Sequence, residues 1–123
     1  MTSQAAKRVL IVEDEALLAL HLEDMLSELG HEVVGQAGRF DAAMQLARDG
    51  DFDFAILDVN VSGTKSFPIA DILHERGIPF AFATGYGADG LSEKYRAFPI
   101  LQKPYAQHDL ERTIEQVCSG SPQ

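Results

Sequence analysis

An α/β fold, with a five-stranded parallel sheet layered between helices, is predicted by three features of the sequence. Short apolar runs rich in β-branched residues alternate with stretches whose apolar residues recur at helical spacing. The alternation repeats five times, as successive strand–helix units do. Four of the apolar runs stop at residues that carry chemistry: Glu13-Asp14, Asp58, Thr84 and Lys103.

Taken in order, Val9-Leu10-Ile11-Val12 is expected to be a strand buried on both faces. Asp14 is positioned to cap a helix running to Leu29, in which Leu18, Leu22, Met25 and Leu29 fall at spacings of four, three and four. Gly30 provides a left-handed stop. His31 to Gln36 reads as the second strand, and Phe40 to Arg48 as a short helix closed by Gly50. Phe54-Ala55-Ile56-Leu57 is the third strand, ending at Asp58. A helix over Ser66 to Arg76 accommodates Pro68 in its first turn. Ile78 to Ala83 forms the fourth strand. Gly85, Gly87 and Gly90 then disfavour helix by about 1 kcal/mol each relative to Ala, so a fourth helix starts late, is short, or frays. Pro99-Ile100-Leu101 gives the fifth strand, and Leu110, Ile114, Val117 and Cys118 mark the inner face of a fifth helix.

Parallel strands joined by right-handed crossovers place helices on both faces of the sheet. With five strands the expected arrangement is a flavodoxin-like three-layer sandwich of order 2-1-3-4-5. Ligands in such sheets sit beyond the carboxyl ends of the strands, where the order reverses between strands 1 and 3. The 123 residues suit one domain over 1–123 with a core of about 7–118.

Composition removes several classes of function. The net charge of −9, from 19 acidic and 10 basic residues without a basic stripe, argues against nucleic acid as a partner. No apolar run approaches the roughly 20 residues of a membrane-spanning helix, and the polar start is no signal peptide. The lone Cys118 agrees with a reducing, cytoplasmic location and reads as a small core-facing residue. His21, His31, His74 and His108 are scattered without metal-ligand spacing and are expected to be exposed or at helix ends. Glu15, Glu23, Asp24 and Glu28 form a solvated acidic face on the first helix.

The rim of the sheet carries the argument for function. Alone, each residue is ordinary: Asp14 a helix cap, Glu13 a solvated charge, Asp58 or Thr84 a turn residue, Lys103 a surface cation. Together they put three carboxylates, one hydroxyl and one ammonium at one edge of the sheet. Two carboxylates 4 Å apart repel by about 4 kcal/mol at an effective dielectric of 20, and Lys103 alone does not compensate three. A hard, oxygen-liganded divalent cation such as Mg²⁺ supplies the remaining charge. A carboxylate beside such an ion is a competent nucleophile toward phosphorus, and Lys103 and Thr84 suit the phosphoryl oxygens.

The set Glu13-Asp14, Asp58, Thr84 and Lys103-Pro104, at these spacings over essentially the whole chain, resembles the receiver domain of two-component response regulators, the CheY-like superfamily. The resemblance implies that Asp58 accepts a phosphoryl group from a histidine kinase or phosphotransfer protein, and that the output is an unknown downstream protein, a relay step or a phosphate sink. It implies that Asp14 holds Mg²⁺ directly and Glu13 through water, with Asp58 and the backbone carbonyl of Asn60 completing the protein ligands. Thr84 and Lys103 would bind phosphoryl oxygens, and in that family the bond at the position of Lys103–Pro104 is often cis. Such a protein is a signalling receiver rather than an enzyme acting on a separate substrate. Phe82-Ala83-Thr84-Gly85-Tyr86 is similar to the Phe-Ala-Thr-Gly signature of stand-alone alphaproteobacterial receivers served by HWE or HisKA2 kinases, although Gly87 replaces the tyrosine of the fuller signature.

Two departures from the family pattern bear on mechanism. Val61-Ser62 stands where many receivers have Met-Pro, so the loop after Asp58 is expected to take a different shape, with Gly63 keeping it flexible. Ile100 occupies the position of the usual switch aromatic, which leaves Phe98, Tyr86 and Tyr105 as candidates for that role. Two other functions are compatible with an aspartyl nucleophile or with this fold. A haloacid-dehalogenase-type phosphohydrolase needs an acid–base Asp where this chain has Asn60. A pseudo-receiver lacks an acceptor, acid or lysine, all of which are present here.

Overall fold

The computed structural model describes residues 6–85, 91, 93–95, 98–103 and 105–118. Its elements run β1 (Arg8–Val12), α1 (Ala16–Glu28), β2 (Glu32–Ala37), α2 (Phe40–Asp49), β3 (Phe54–Asp58), β4 (Asn60–Val61), β5 (Thr64–Lys65), α3 (Phe67–Arg76), β6 (Phe80–Thr84), β7 (Ile100–Gln102) and α4 (Gln107–Cys118). A 3-10 turn covers Glu93–Tyr95.

The main sheet is parallel, with strand order β2-β1-β3-β6-β7. This is the winding expected for the five long strands. The numbers shift because an antiparallel hairpin, β4-β5, intervenes after β3. Four α-helices and the short 3-10 turn are present among the described residues, against the five helices expected. The expectations placed on Tyr86, Gly87, Gly90 and Pro104 lie outside the described residues.

Burial on both faces explains why the central strands are apolar throughout. Leu10, Val12, Ala55, Leu57, Phe80 and Phe82 point into a core shared with α2 and α3. Val9, Ile11, Phe54, Ile56, Ala81 and Ala83 point the other way, into a core shared with α1 and α4. The pleat thus sends alternate residues of each strand to opposite layers.

Several local expectations need correcting. Helix α1 starts at Ala16 after Glu15, and no side chain caps it. The carboxylate of Asp14 instead accepts an N–H from a distant loop. The buried stripe of α1 is Ala19, Leu22, Met25 and Leu26, while Leu18 is 40% exposed. His31 stands at the end of α1, as one of the two expectations had it, but is buried, its Nδ1 accepting the backbone N–H of Lys7 at 3.0 Å. Burial and the nearby Lys7 charge hold the imidazole below its usual pKa, as suits a neutral acceptor. Helix α2 does close at Gly50, but in an extended conformation. Glycine is required there for space, since an added Cβ would sit 2.6 Å from the Leu46 carbonyl oxygen and 2.8 Å from the Phe52 ring.

Candidate functional site

Each functional side chain is placed by the end of a strand. Glu13 and Asp14 follow β1, and the Glu13 N–H continues the ladder by donating to the Ala37 carbonyl at 3.0 Å. Asp58 is the last residue of β3, in register with Ala83 of β6. Thr84 closes β6, and its carbonyl accepts the Lys103 N–H at 2.8 Å. That bond carries the chain from β7 back to the same rim.

The parallel register therefore delivers one acid cluster and one cation to a single place. A carboxylate oxygen from each of Glu13, Asp14 and Asp58 lies within 4.8 Å of the others. Glu13 is buried, Asp58 half-buried and Asp14 exposed. Lys103 Nζ donates to Glu13 Oε1 at 2.9 Å and lies 3.5 Å from Asp58 Oδ2. The second Glu13 oxygen, Oε2, accepts the Glu15 N–H at 3.1 Å. Both oxygens of Glu13 are thus engaged within the protein.

Electrostatics follow from that geometry. Burial, opposed by Lys103 and the Asn60 N–H and reinforced by Glu13 and Asp14, raises the Asp58 carboxyl to about 6. Burial works against the charge of Lys103, yet the bond to Glu13 and the field of Asp58 win, so its pKa is raised. Tyr105, beside the site, is pushed up to about 12 by burial and by the fields of Glu13 and Asp58. The phenol is accordingly neutral at any physiological pH. Among the described residues, one cation for three acids leaves excess negative charge, and the donors are all hard oxygens. This donor set fits a divalent ion such as Mg²⁺.

Sequence reasoning missed the structure of the loop after Asp58. It forms the β4-β5 hairpin, closed by Ser62 at φ 52° and Gly63 at φ 82°. Positive φ at both turn residues is the hairpin turn whose twist matches its strands. The Ser-Gly pair was the available signal. The left-handed conformation costs a non-glycine residue about 1–2 kcal/mol. Ser62 keeps it with two long-range bonds. Its N–H donates to Asp14 Oδ2 at 2.9 Å, and its hydroxyl to the Gly38 carbonyl at 3.1 Å.

The residues considered as switch aromatics separate in space. Phe98 packs on Phe80 with ring centroids 4.8 Å apart, in the core behind β6. Tyr105 lies on the opposite layer, against the α1 and α4 core. Ile100, in register with Phe82, is half-buried. Tyr95, not singled out from the sequence, stacks on Phe67 at 4.3 Å and donates its hydroxyl to Asp71 at 2.8 Å.

Comparison with known proteins follows the same line. The family model for the response regulator receiver domain matches residues 9–115. The chain is 37% identical to the transcriptional regulatory protein PdtaR of Mycobacterium tuberculosis over 117 residues, covering 92% of this chain and 57% of that protein. The solution structure of SdrG from Sphingomonas melonis Fr1 superposes with a TM-score of 0.81 at 42% identity, covering 91% of this chain and 96% of SdrG. The response regulator PhyR from Brucella abortus gives 0.81 at 32% identity, with 94% and 49% covered. The chain spans about half the length of the curated relatives it matches. No helix among the described residues is long and apolar enough to cross a membrane.

The raised Asp58 pKa gives a signed prediction for the metal-free protein. A folded-state value near 6, against an ordinary 3.8, means that folding favours the protonated acid. That favourable contribution is complete below pH 3.8, is lost as pH rises through 6, and stays lost at pH 7. Asp58→Asn escapes the loss, so it should stabilise the metal-free protein at neutral pH by about 1–3 kcal/mol. The gain should shrink toward zero near pH 4. Urea unfolding of both proteins across this range measures it, and a gain independent of pH would contradict the assignment.

Proposed function

The chain belongs to the response regulator receiver-domain family, and on that premise we propose that Asp58 is its phospho-acceptor. Receiver domains interact with histidine kinases or phosphotransfer proteins and bind Mg²⁺ at an acidic pocket. In this reading Asp58 takes a phosphoryl group from such a donor in a Mg²⁺-dependent reaction. The output is a contact with a downstream protein, a relay step or removal of phosphate. The observation that carries the reading is the meeting of Asp58 with Glu13, Asp14 and Lys103 at one end of the sheet.

In the transfer, an Asp58 oxygen forms a bond to phosphorus while the donor's phosphorus–nitrogen bond breaks and its electron pair leaves with the imidazole. Bound Mg²⁺ supplies charge neutralisation for the phosphoryl oxygens and for the acid cluster. Asp14 would hold the ion directly, together with Asp58 and the Asn60 carbonyl. Glu13 has both oxygens in hydrogen bonds and would act through water. Lys103, already 3.5 Å from Asp58 Oδ2, pairs with one phosphoryl oxygen, and the Thr84 hydroxyl donates to another. A carboxyl near 6 remains largely ionised at neutral pH, as a nucleophile must be. The chain catalyses only its own phosphorylation and dephosphorylation. Its location is cytoplasmic, which the chemistry of one unpaired cysteine supports.

The approach surface for the donor protein lies at the start of α1. Leu17 and Leu20, in the first part of α1 just after Asp14, are 81% and 54% exposed. A shallow groove of about 300 Å³ beside them is lined by Leu18, His21, Met25, Lys103 and Tyr105. An apolar rim next to the reacting carboxylate fits a partner that buries its own apolar surface on docking.

Incubation with a small phosphodonor and Mg²⁺ should add one phosphoryl group, read by intact-protein mass spectrometry, and Asp58→Asn should remain unlabelled. No added mass in the wild type would count against the acceptor role. Leu17→Glu should slow labelling by a phosphotransfer protein at least several-fold while leaving labelling by the small donor unchanged. Equal slowing of both would remove the docking role from α1.

A further inference from the structure

We propose that Ser62 is a positioning residue for the metal site, the keystone of a three-loop clasp that fixes the carboxylate of Asp14. The proposal rests on the reading of Asp14 as a Mg²⁺ ligand and concerns residues outside that ligand set.

Three loops meet at this point, following β1, β2 and β3. The loop after β2 lies directly against the acid pair: a Cβ added to Gly38 would stand 3.4 Å from the Glu13 carbonyl oxygen and 3.6 Å from Asp14 Cα. These are ordinary van der Waals distances, so the loop packs directly on the acid pair. The Gly38 carbonyl then accepts the Ser62 hydroxyl at 3.1 Å. The Ser62 N–H closes the ring by donating to Asp14 Oδ2 at 2.9 Å, across 48 residues of sequence. Asp14, Gly38 and Ser62 thus form a closed circuit: backbone packing, hydroxyl bond, amide bond.

Two features show that the circuit is specific. Ser62 holds φ 52°, a conformation that glycine adopts freely and serine does not. Strain of this kind persists where the surrounding contacts over-determine it. Here the contact made by the side chain is the bond to Gly38. Asp14 is also the exposed member of the acid cluster, so no core packing fixes its rotamer. The Ser62 amide bond holds one carboxylate oxygen and so sets the rotation of the carboxylate that shares the cluster with Glu13 and Asp58.

A hydrogen bond from outside the coordination sphere orients a ligand and raises metal affinity, and loss of one typically costs 10- to 100-fold. Removing only the Ser62 hydroxyl leaves the amide in place but frees the hairpin from Gly38. The expected loss in Mg²⁺ affinity is therefore smaller, about 3- to 10-fold.

The test compares Mg²⁺ dissociation constants, followed by amide chemical shifts, for wild type, Ser62→Gly and Ser62→Asn, with metal-free melting temperatures alongside. Glycine favours the left-handed turn, so Ser62→Gly should fold with an unchanged or higher melting temperature while binding Mg²⁺ about 3- to 10-fold more weakly. Asparagine tolerates the left-handed region and carries an N–H donor, so Ser62→Asn should return to within about twofold of wild type. Ser62→Gly binding within about twofold of wild type overturns the clasp while leaving the metal site intact. Ser62→Asn as weak as Ser62→Gly also overturns it, since a donor at this position would then not matter. Wild type without any Mg²⁺ response overturns the metal reading and the clasp together.

Discussion

The constraint on which this structure turns is an excess of negative charge held at the carboxyl end of the sheet. Glu13, Asp14 and Asp58 present oxygens within 4.8 Å of one another, and Lys103 brings one compensating charge. The strands leave little freedom to relieve the repulsion. Glu13 is locked by its ladder bond to Ala37, and Asp58 closes a strand buried on both faces. The cost appears at Asp58, whose pKa is raised to about 6, with burial as the largest cause. A site that is unfavourable when empty binds a divalent cation with correspondingly more gain.

The rest of the fold can be understood as support for that arrangement. Two cores, one on each face, fix the heights of β1, β3, β6 and β7 relative to one another. Register then carries Asp58 beside Ala83 and links Lys103 to Thr84. The chain spends its irregular geometry at the same end. The left-handed turn of Ser62 lies next to Asp14, whose carboxylate accepts the Ser62 N–H.

Much of this was legible in the sequence because buried parallel strands have a strong signature. Val9 to Val12, Phe54 to Leu57 and Ile78 to Ala83 read as strands, although the last begins only at Phe80, and their ends located the acid cluster. Local rules failed where tertiary contacts outbid them. Asp14 has the right type and place for a helix cap, yet the Ser62 amide takes its carboxylate. His31, read as exposed or at a helix end, does follow α1 but is buried, because the Lys7 N–H supplies a partner. In α1 the helical period was visible but its phase was displaced, because exposed Leu17, Leu18 and Leu20 mask the true buried stripe. The hairpin after Asp58 was hidden by its brevity: two-residue strands have no periodicity to detect, and only Ser62-Gly63 marked it.

Whether the acid cluster exists to hold a cation is best settled by calorimetric Mg²⁺ titration near pH 6 and near pH 8, in buffers of different ionisation heat. If Asp58 is half-protonated near pH 6 and joins the metal, each ion bound should release about half a proton there and almost none near pH 8. Absence of Mg²⁺ binding, or proton release equal at the two pH values, would contradict the account.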